Sequence, residues 1–578
     1  MSYIAPVQEY SFLLRHAFDG DKHLADASGG ELTVDDAETI LGAAAEFAVD
    51  VLHPLNAAGD RAGARLENGR VITAPGFAEA LQQFATAGWI GFAAPASAGG
   101  DDTPRLLSSA VEELWAAANP AFALCPGLTL GAIAALDAAA DAQQRDTYLA
   151  PMVQGRWTGT MNLTEPQAGT DLAAIRTTAH PAEDGTWRVT GQKIFITWGD
   201  HEIAENIVHL VLARTTDAPA GLGGLSLFIV PKYLPAADGS VGERNAVTTV
   251  SLEHKLGIHA SPTCVLDYTD ATGFLLGELH HGLAGMFVMM NISRLGIGVQ
   301  GLGVADRAYQ QARDYAAERV QGTVLGAPAG TPISGHPDVA RLLTSAASTI
   351  TAMRGLLLLA SAFHDQAMAG DRPAAARAEF LSPVVKGWLT EEALRITSDA
   401  IQVHGGAGFI EETGAAQHYR DARISPIYEG TTAIQANDLV GRKVIRDQGR
   451  TANDLLDLID ADTTTLSTVE HPAAHRAAQR LRHATDTVRR ATSTLVGFAE
   501  DNPRDAFAGS VGYLTMWGLL AGGWAHGRIF SAAITTHHAG DLDEAELHRR
   551  VVEADFYGAH HLSRIAALAA ALEAGEIR

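Results

Sequence analysis

One β-rich block lies inside a chain that otherwise repeats its apolar residues at helical spacing, and that order restricts the folds open to it. The block runs from about 156 to 275. Trp187-Arg-Val-Thr-Gly-Gln-Lys-Ile-Phe-Ile-Thr197 follows an Asp184-Gly185 turn, and Asn206-Ile-Val-His-Leu-Val-Leu-Ala and Leu225-Ser-Leu-Phe-Ile-Val are further strand-like runs. Gly and Pro punctuate it, which suits a small antiparallel barrel or sandwich. Before it, Thr33 with Asp36 gives a helix-start signal, and Ile40, Ala44, Phe47, Ala48 and Val51 recur at helical spacing. After it, Ala/Leu-rich segments start near Arg294, Val339 and Val384. From about 450 the chain is helical again, with breaks at Asn502-Pro503 and Ala539-Gly540. With 578 residues the chain exceeds one compact core. The expected architecture is α+β and multidomain. It comprises an N-terminal extension (1–34), a helical domain (35–157), a middle β-barrel or sandwich (158–280), a helical bundle (281–448) and an additional helical domain (449–578).

Charge and composition remove several classes of function. A net charge of −25 opposes nucleic-acid binding, which needs clustered Lys and Arg. Residues 451–578 hold 17 acidic residues against 11 Arg and no Lys, so attraction to anionic lipid is weak there too. Two cysteines, Cys125 and Cys264, make no disulfide framework. The pairs His280-His281, His537-His538 and His560-His561 are adjacent in sequence, which is poor chelate geometry, and no metal is expected. The N-terminus lacks the basic head and apolar core of a signal peptide. The uncharged stretches Leu114 to Leu136 and Ala506 to Ala525 are broken by Pro, Gly and polar residues and read as buried helices rather than membrane spans. A cytoplasmic protein is expected.

Four segments carry candidate chemistry, and each has an ordinary structural reading beside the functional one. Met161-Asn-Leu-Thr-Glu-Pro-Gln-Ala-Gly-Thr-Asp171 is a loop of backbone donors and short hydroxyls that suits a polar ring or phosphate, or simply ends a strand. Gly191-Gln-Lys-Ile-Phe-Ile-Thr197 puts a hydroxyl beside aromatic residues, as a flavin contact or as plain strand alternation. Gln402-Val-His-Gly-Gly-Ala-Gly-Phe409 ends a helix on closely spaced glycines, either to admit a ligand to the backbone or as a C-cap. In Ile427-Tyr-Glu-Gly-Thr-Thr432, Glu429 sits among apolar residues. Desolvation there would strengthen it as a base; the alternative is a helix-start glutamate facing solvent.

Taken together and in this order, with Tyr315-Ala-Ala-Glu-Arg319, these segments resemble the acyl-CoA dehydrogenase family over roughly residues 35 to 445. The first residues, Met289-Met-Asn-Ile-Ser-Arg294 and the C-terminal module resemble its long branch. That branch includes methylthiopropionyl-CoA dehydrogenases and broad-specificity fatty acyl-CoA dehydrogenases of bacteria. The resemblance implies the acyl-CoA dehydrogenase fold, FAD as cofactor, and dehydrogenation of an acyl-CoA to a trans-2-enoyl-CoA with Glu429 as the α-proton base. It implies FAD contacts from Met161, Leu163, Thr164, Phe195, Thr197, Arg319, Gln402, Gly405, Gly406 and Thr431. It implies substrate contacts from Thr170, Asn291, Arg294, Tyr428 and Gly430. Electrons would pass to an electron-transfer flavoprotein, and the assembly would be a homodimer. Gln321-Gly322 departs from the family's usual Phe-Gly. Some branches carry the base one residue before the equivalent of Arg294; here that residue is Ser293, leaving Glu429 as the matching candidate. An acyl-CoA oxidase is the nearest rival. A non-catalytic DNA-associated member should have a basic C-terminal module, and a monooxygenase on this fold lacks the Ile-Tyr-Glu-Gly-Thr base.

Overall fold

The computed structural model describes residues 3–236 and 238–576 and divides the chain into two units. One holds the sheet: Phe47–Thr103 and Ala118–Gly296. The other is helical: Met1–Glu46, Pro104–Ala117 and Ile297–Arg578.

The sheet unit has seven principal strands: β1 (Trp157–Asn162), β2 (Thr178–Pro181), β3 (Trp187–Thr197), β4 (Asn206–Thr215), β5 (Leu225–Pro231), β6 (Val247–Leu252) and β7 (Thr263–Leu276). Five of them close a ring: β7 pairs with β3, β3 with β2, β2 with β4, β4 with β5, and β5 with β7. β6 adds to β7 and β1 adds to β4 outside the ring. Closure leaves the ring strands no free edges, and Val189, Val211, Phe228, Val230, Leu266 and Tyr268 fill its core. The barrel is not wholly antiparallel, as the strand pattern suggested, because β2–β4 and β1–β4 are parallel. The turn at Asp184-Gly185 makes β2 and β3 a hairpin. The chain then crosses the barrel end before β4, so β4 re-enters in the direction of β2. The helix Pro120–Ala139 packs on β1 at Gly159, where a Cβ would lie 2.4 Å from that of Ala132.

In the helical unit the start signal at Thr33 forms as a reciprocal cap. Thr33 N donates to Asp36 Oδ2 at 2.9 Å and Asp36 N to Thr33 Oγ1 at 3.3 Å. The long helices are Pro337–Met368 and Arg372–His404, with the part of Gly282–Glu318 from Ile297 onward. All three begin earlier than the sequence pattern indicates. Pro383 lies inside Arg372–His404, and the helix continues through it. Phe380, Leu381, Val384 and Val385 are all buried on that stretch, and their packing outweighs one missing backbone hydrogen bond.

The C-terminal segment forms Arg450–Ser467, Pro472–Asp501, Ser510–Ala539, Glu544–His560 and Arg564–Glu573. It shares one core with the long helices. Ser510–Ala539 approaches them so closely that a Cβ on Gly518 would lie 2.1 Å from Trp388 Cγ, and one on Gly355 would lie 2.3 Å from Ala525 Cβ. The N-terminal stretch, for which the sequence suggested no structure, is helical at Val7–Phe12 and Gly20–Ser28. Glu9 there ion-pairs with Arg549 at 2.9 Å and Arg550 at 3.1 Å. Deeper in, Arg354 lies 2.6 Å from Glu113 and 3.1 Å from Asp306, all three nearly inaccessible. Among the described residues three helices, Pro120–Ala139, Gly282–Glu318 and Pro337–Met368, are long and apolar enough to cross a membrane by length and composition. Of their most apolar windows, 56%, 44% and 78% is buried within the protein.

Candidate active site

In the sheet unit, β1 delivers the loop that begins at Leu163, and a buried ion pair shapes it. Lys193 on β3, wholly inaccessible, donates to the Leu163 carbonyl at 2.9 Å and pairs with Glu165 at 2.8 Å. Glu165 also accepts from Thr177 Oγ1 at 2.6 Å and from the backbone N–H groups of Arg176 and Thr177 at 2.7 and 3.0 Å. Burial pushes the Glu165 carboxyl up, but Lys193 and these donors hold it down to about 2. Burial lowers Lys193 to about 8 against the pull of Glu165. The glutamate and lysine of the two sequence motifs thus form a strut rather than reactive groups. Sequence reading gave them no role, since 28 residues separate them and only the sheet brings them together.

The strut holds Leu163 to β3, the Ile194 N–H donates to the Thr164 carbonyl at 2.9 Å, and Met161 pairs with Leu210 on β4. Thr160 Oγ1 donates to the Thr197 carbonyl at 2.8 Å, fixing the end of that strand. Phe195 and Trp198 have φ of 59° and 53°, flanking Thr197 with left-handed backbone. The kink leaves the Phe195 ring 58% exposed and Thr197 half-buried, while Trp198 is buried and donates to the Ala121 carbonyl. A flat exposed ring beside a half-buried hydroxyl fits an isoalloxazine edge. Thr170 is exposed in the loop. Asn291 and Arg294 lie one turn apart on Gly282–Glu318, with Arg294 Nη1 3.5 Å from Asn291 Oδ1.

In the helical unit, Arg319 follows the end of Gly282–Glu318. Its guanidinium is exposed, donates to Gln321 Oε1 at 3.3 Å and forms no ion pair among the described residues. Tyr315 stacks on His404 at 4.5 Å, which brings Arg319 and the loop from Gln402 to Gly406 together. Neither Tyr315 nor His404 was singled out from sequence. His404 Nδ1 donates to the Ala400 carbonyl at 2.7 Å, and burial lowers the ring's pKa. Gly405 has φ 59°, and a Cβ on Gly405 or Gly406 would meet open space, so the backbone there is accessible. An arginine without a carboxylate beside open glycine backbone suits a pyrophosphate.

Glu429, half-buried, has φ 55°, and Gly430 has φ 89°. Tyr428 donates its hydroxyl to Gln300, and burial pushes that hydroxyl's pKa up. Thr431 caps the helix Thr432–Asp438 by accepting from Ile434 N at 3.4 Å. The helix begins after Glu429, so the carboxylate stands on the bend before it. Among the described residues no cluster of His, Cys, Asp and Glu could hold a metal ion.

Four family models cover most of the chain. The acyl-CoA dehydrogenase N-terminal, middle and C-terminal domains match residues 35–156, 160–271 and 280–444, and the acetyl-CoA dehydrogenase C-terminal-like domain matches 455–577. The chain belongs to the acyl-CoA dehydrogenase family. It is an FAD-dependent oxidoreductase that oxidises an acyl-CoA. The 3-methylmercaptopropionyl-CoA dehydrogenase of Ruegeria pomeroyi is 46% identical over 96% of this chain and 95% of its own. The broad-specificity linear acyl-CoA dehydrogenase FadE5 of Mycobacterium tuberculosis is 32% identical over 97% and 95%. An acyl-CoA dehydrogenase from Bacillus anthracis, solved in complex with FAD, shares the fold with a TM-score of 0.77 at 21% identity, over 95% of this chain and 89% of its own.

Proposed function

We propose that Glu429 is the base that removes the α-proton of an acyl-CoA thioester, giving the trans-2-enoyl-CoA. The observation that carries this is the half-buried carboxylate on a left-handed bend in the Ile427–Thr432 segment, while the other position at which the family carries a base is Ser293. The α-proton of a thioester is weakly acidic, and it becomes removable when donors meet the charge developing on the carbonyl oxygen. The Glu429 backbone N–H is one such donor, so a single residue presents both base and electrophile. FAD, when bound, supplies the acceptor for the β-hydride. Met161, Leu163, Thr164, Phe195 and Thr197 hold its ring, and Arg319, Gln402, Gly405, Gly406 and Thr431 hold its phosphate and adenine side. Thr170, Asn291, Arg294, Tyr428 and Gly430 take the acyl-CoA.

The likeness to the Ruegeria enzyme makes 3-(methylthio)propionyl-CoA the first substrate to test, with linear acyl-CoAs beside it. Electrons leave to an electron-transfer flavoprotein, in the cytoplasm and in acyl chain degradation. The chain works as a homodimer; the exposed apolar side chains of Leu325 and Phe409, 90% and 85% accessible, support a partner surface near Arg319 and Gln402. The test is anaerobic mixing of the flavin-loaded protein with an acyl-CoA panel. Bleaching of the flavin by one class, lost in Glu429→Gln with FAD retained, is the expected result. Bound flavin that no acyl-CoA bleaches would refute the reading. Rapid oxygen consumption with peroxide release would move it to an acyl-CoA oxidase.

A further inference from the structure

A glutamate with positive φ followed by a glycine with positive φ is a costly backbone, and it persists only where its surroundings over-determine it. At Glu429-Gly430 two side chains do so. Gln435 Nε2 donates to the Glu429 carbonyl at 3.0 Å, with a longer contact to the Gly430 carbonyl at 3.4 Å. Lys386 Nζ donates to the Gly430 carbonyl at 2.6 Å. Gln435 is 1% exposed on Thr432–Asp438, and Lys386 is wholly inaccessible on Arg372–His404. Burial strips an ammonium of its hydration, so Lys386 needs polar partners in the interior, and the Gly430 carbonyl is one of them. The fit is also close: a Cβ on Gly430 would lie 2.8 Å from Gln435 Nε2.

We infer that Lys386 and Gln435 are positioning residues for the proton-abstraction step. They clamp the carbonyls of Glu429 and Gly430, the two peptides that follow the base. Both carbonyls lie on the C-terminal side of the Glu429 α-carbon, so the clamp fixes the backbone that leaves Glu429 and with it the direction of the Glu429 carboxylate. Neither residue needs to touch the substrate. The inference rests on the proposed role of Glu429, and it assigns the alignment of the base to two groups outside the Ile427–Thr432 segment. Losing one arm lets the peptide rotate. A displacement of about an ångström between base and α-carbon costs on the order of a hundredfold in rate without weakening binding of the rest of the substrate.

The test is stopped-flow reduction of the flavin-loaded enzyme by the best acyl-CoA and its α-dideuterated form. It is run in wild type, Lys386→Met, Gln435→Leu and the double variant. The expected result is a roughly 10- to 100-fold slower reduction in each single variant, with a larger α-deuterium isotope effect, unchanged flavin content and nearly unchanged KM. Because both arms hold one bend, the double variant should be little slower than the worse single. Lys386→Arg, which keeps a cationic donor, should recover part of the rate. If Lys386→Met does not fold, Gln435→Leu and Lys386→Arg carry the same comparison. Reduction at the wild-type rate with the wild-type isotope effect, or a change confined to KM, overturns the clamp. Failure of the wild type to be reduced by any acyl-CoA overturns instead the reading on which it rests.

Discussion

Replacing Arg354 by Met tests the buried charge cluster of the helical unit. Arg354 reaches Glu113 through Nη2 at 2.6 Å and Nε at 3.0 Å, and Asp306 at 3.1 Å. Glu113 is fully buried, and Asp306 and Arg354 are 4% and 5% exposed. Methionine keeps the apolar stem and deletes the cation, so two carboxylates stay in the interior. Glu113 then keeps the Tyr10 hydroxyl, and Asp306 keeps Gln310 at 2.8 Å. Breaking one side of such a cluster costs about 3–5 kcal/mol. The unit spans roughly 340 residues, which gives an unfolding entropy of about 0.7 kcal/mol/K, so the loss corresponds to a Tm drop of about 4–7 °C. Differential scanning calorimetry of the flavin-loaded protein reads it directly. The double variant Arg354→Met with Glu113→Gln should recover part of the loss, because one orphaned charge is then removed. A Tm that stays within about 1 °C of wild type, or a double variant worse than the sum of the singles, would show that the cation is not what stabilises these carboxylates.

Acid should destabilise the packing of the C-terminal helices through two histidines. Burial lowers His526 to about 4 and His561 to about 3. The first donates to the Ser348 carbonyl at 2.8 Å, and the second stacks on Tyr557. Their unfolded pKa is near 6.5, so the unfolded chain binds more protons below that value, and stability present at pH 7 is lost as pH falls toward the folded values. The loss is roughly 2 kcal/mol per ring between pH 7 and pH 5, and urea midpoints that stay flat over that interval would contradict it. Gly518→Ala should cost about 1–3 kcal/mol, since its Cβ would overlap the buried Trp388 ring; an unchanged thermal midpoint would mean that the helices separate freely there.

The fold was legible in the sequence where local chemistry decides structure. The Asp184-Gly185 turn, the Thr33 cap, the break at Asn502-Pro503 and the stop at Gly540 all mark element ends, and Gly540 stops its helix with φ 88°. It was not legible where distant segments decide. Nothing in β1 or β4 states that they pair in parallel, and nothing around Pro383 states that packing will carry a helix through it. The candidate site divides the same way. Glu429 was visible from its motif, but the positive φ that aims it was not, because the donors that hold it come from residues 386 and 435. Glu165 and Lys193 stood inside recognised motifs, yet their pairing needs the β-sheet to exist first.

The ion pairs of Glu9 with Arg549 and Arg550 have a consequence for synthesis. Some 540 residues separate the partners. At about 5–20 residues per second, the helix Val7–Phe12 leaves the ribosome roughly half a minute to two minutes before the arginines that hold it. For most of that interval Leu13 and Leu14, both inaccessible in the finished protein, are without the helix Ser510–Ala539 that packs against their segment. The earliest part of the chain is therefore among the last to be secured. A slowed or truncated translation of the final 30 residues would leave an apolar N-terminal segment for chaperones to shield.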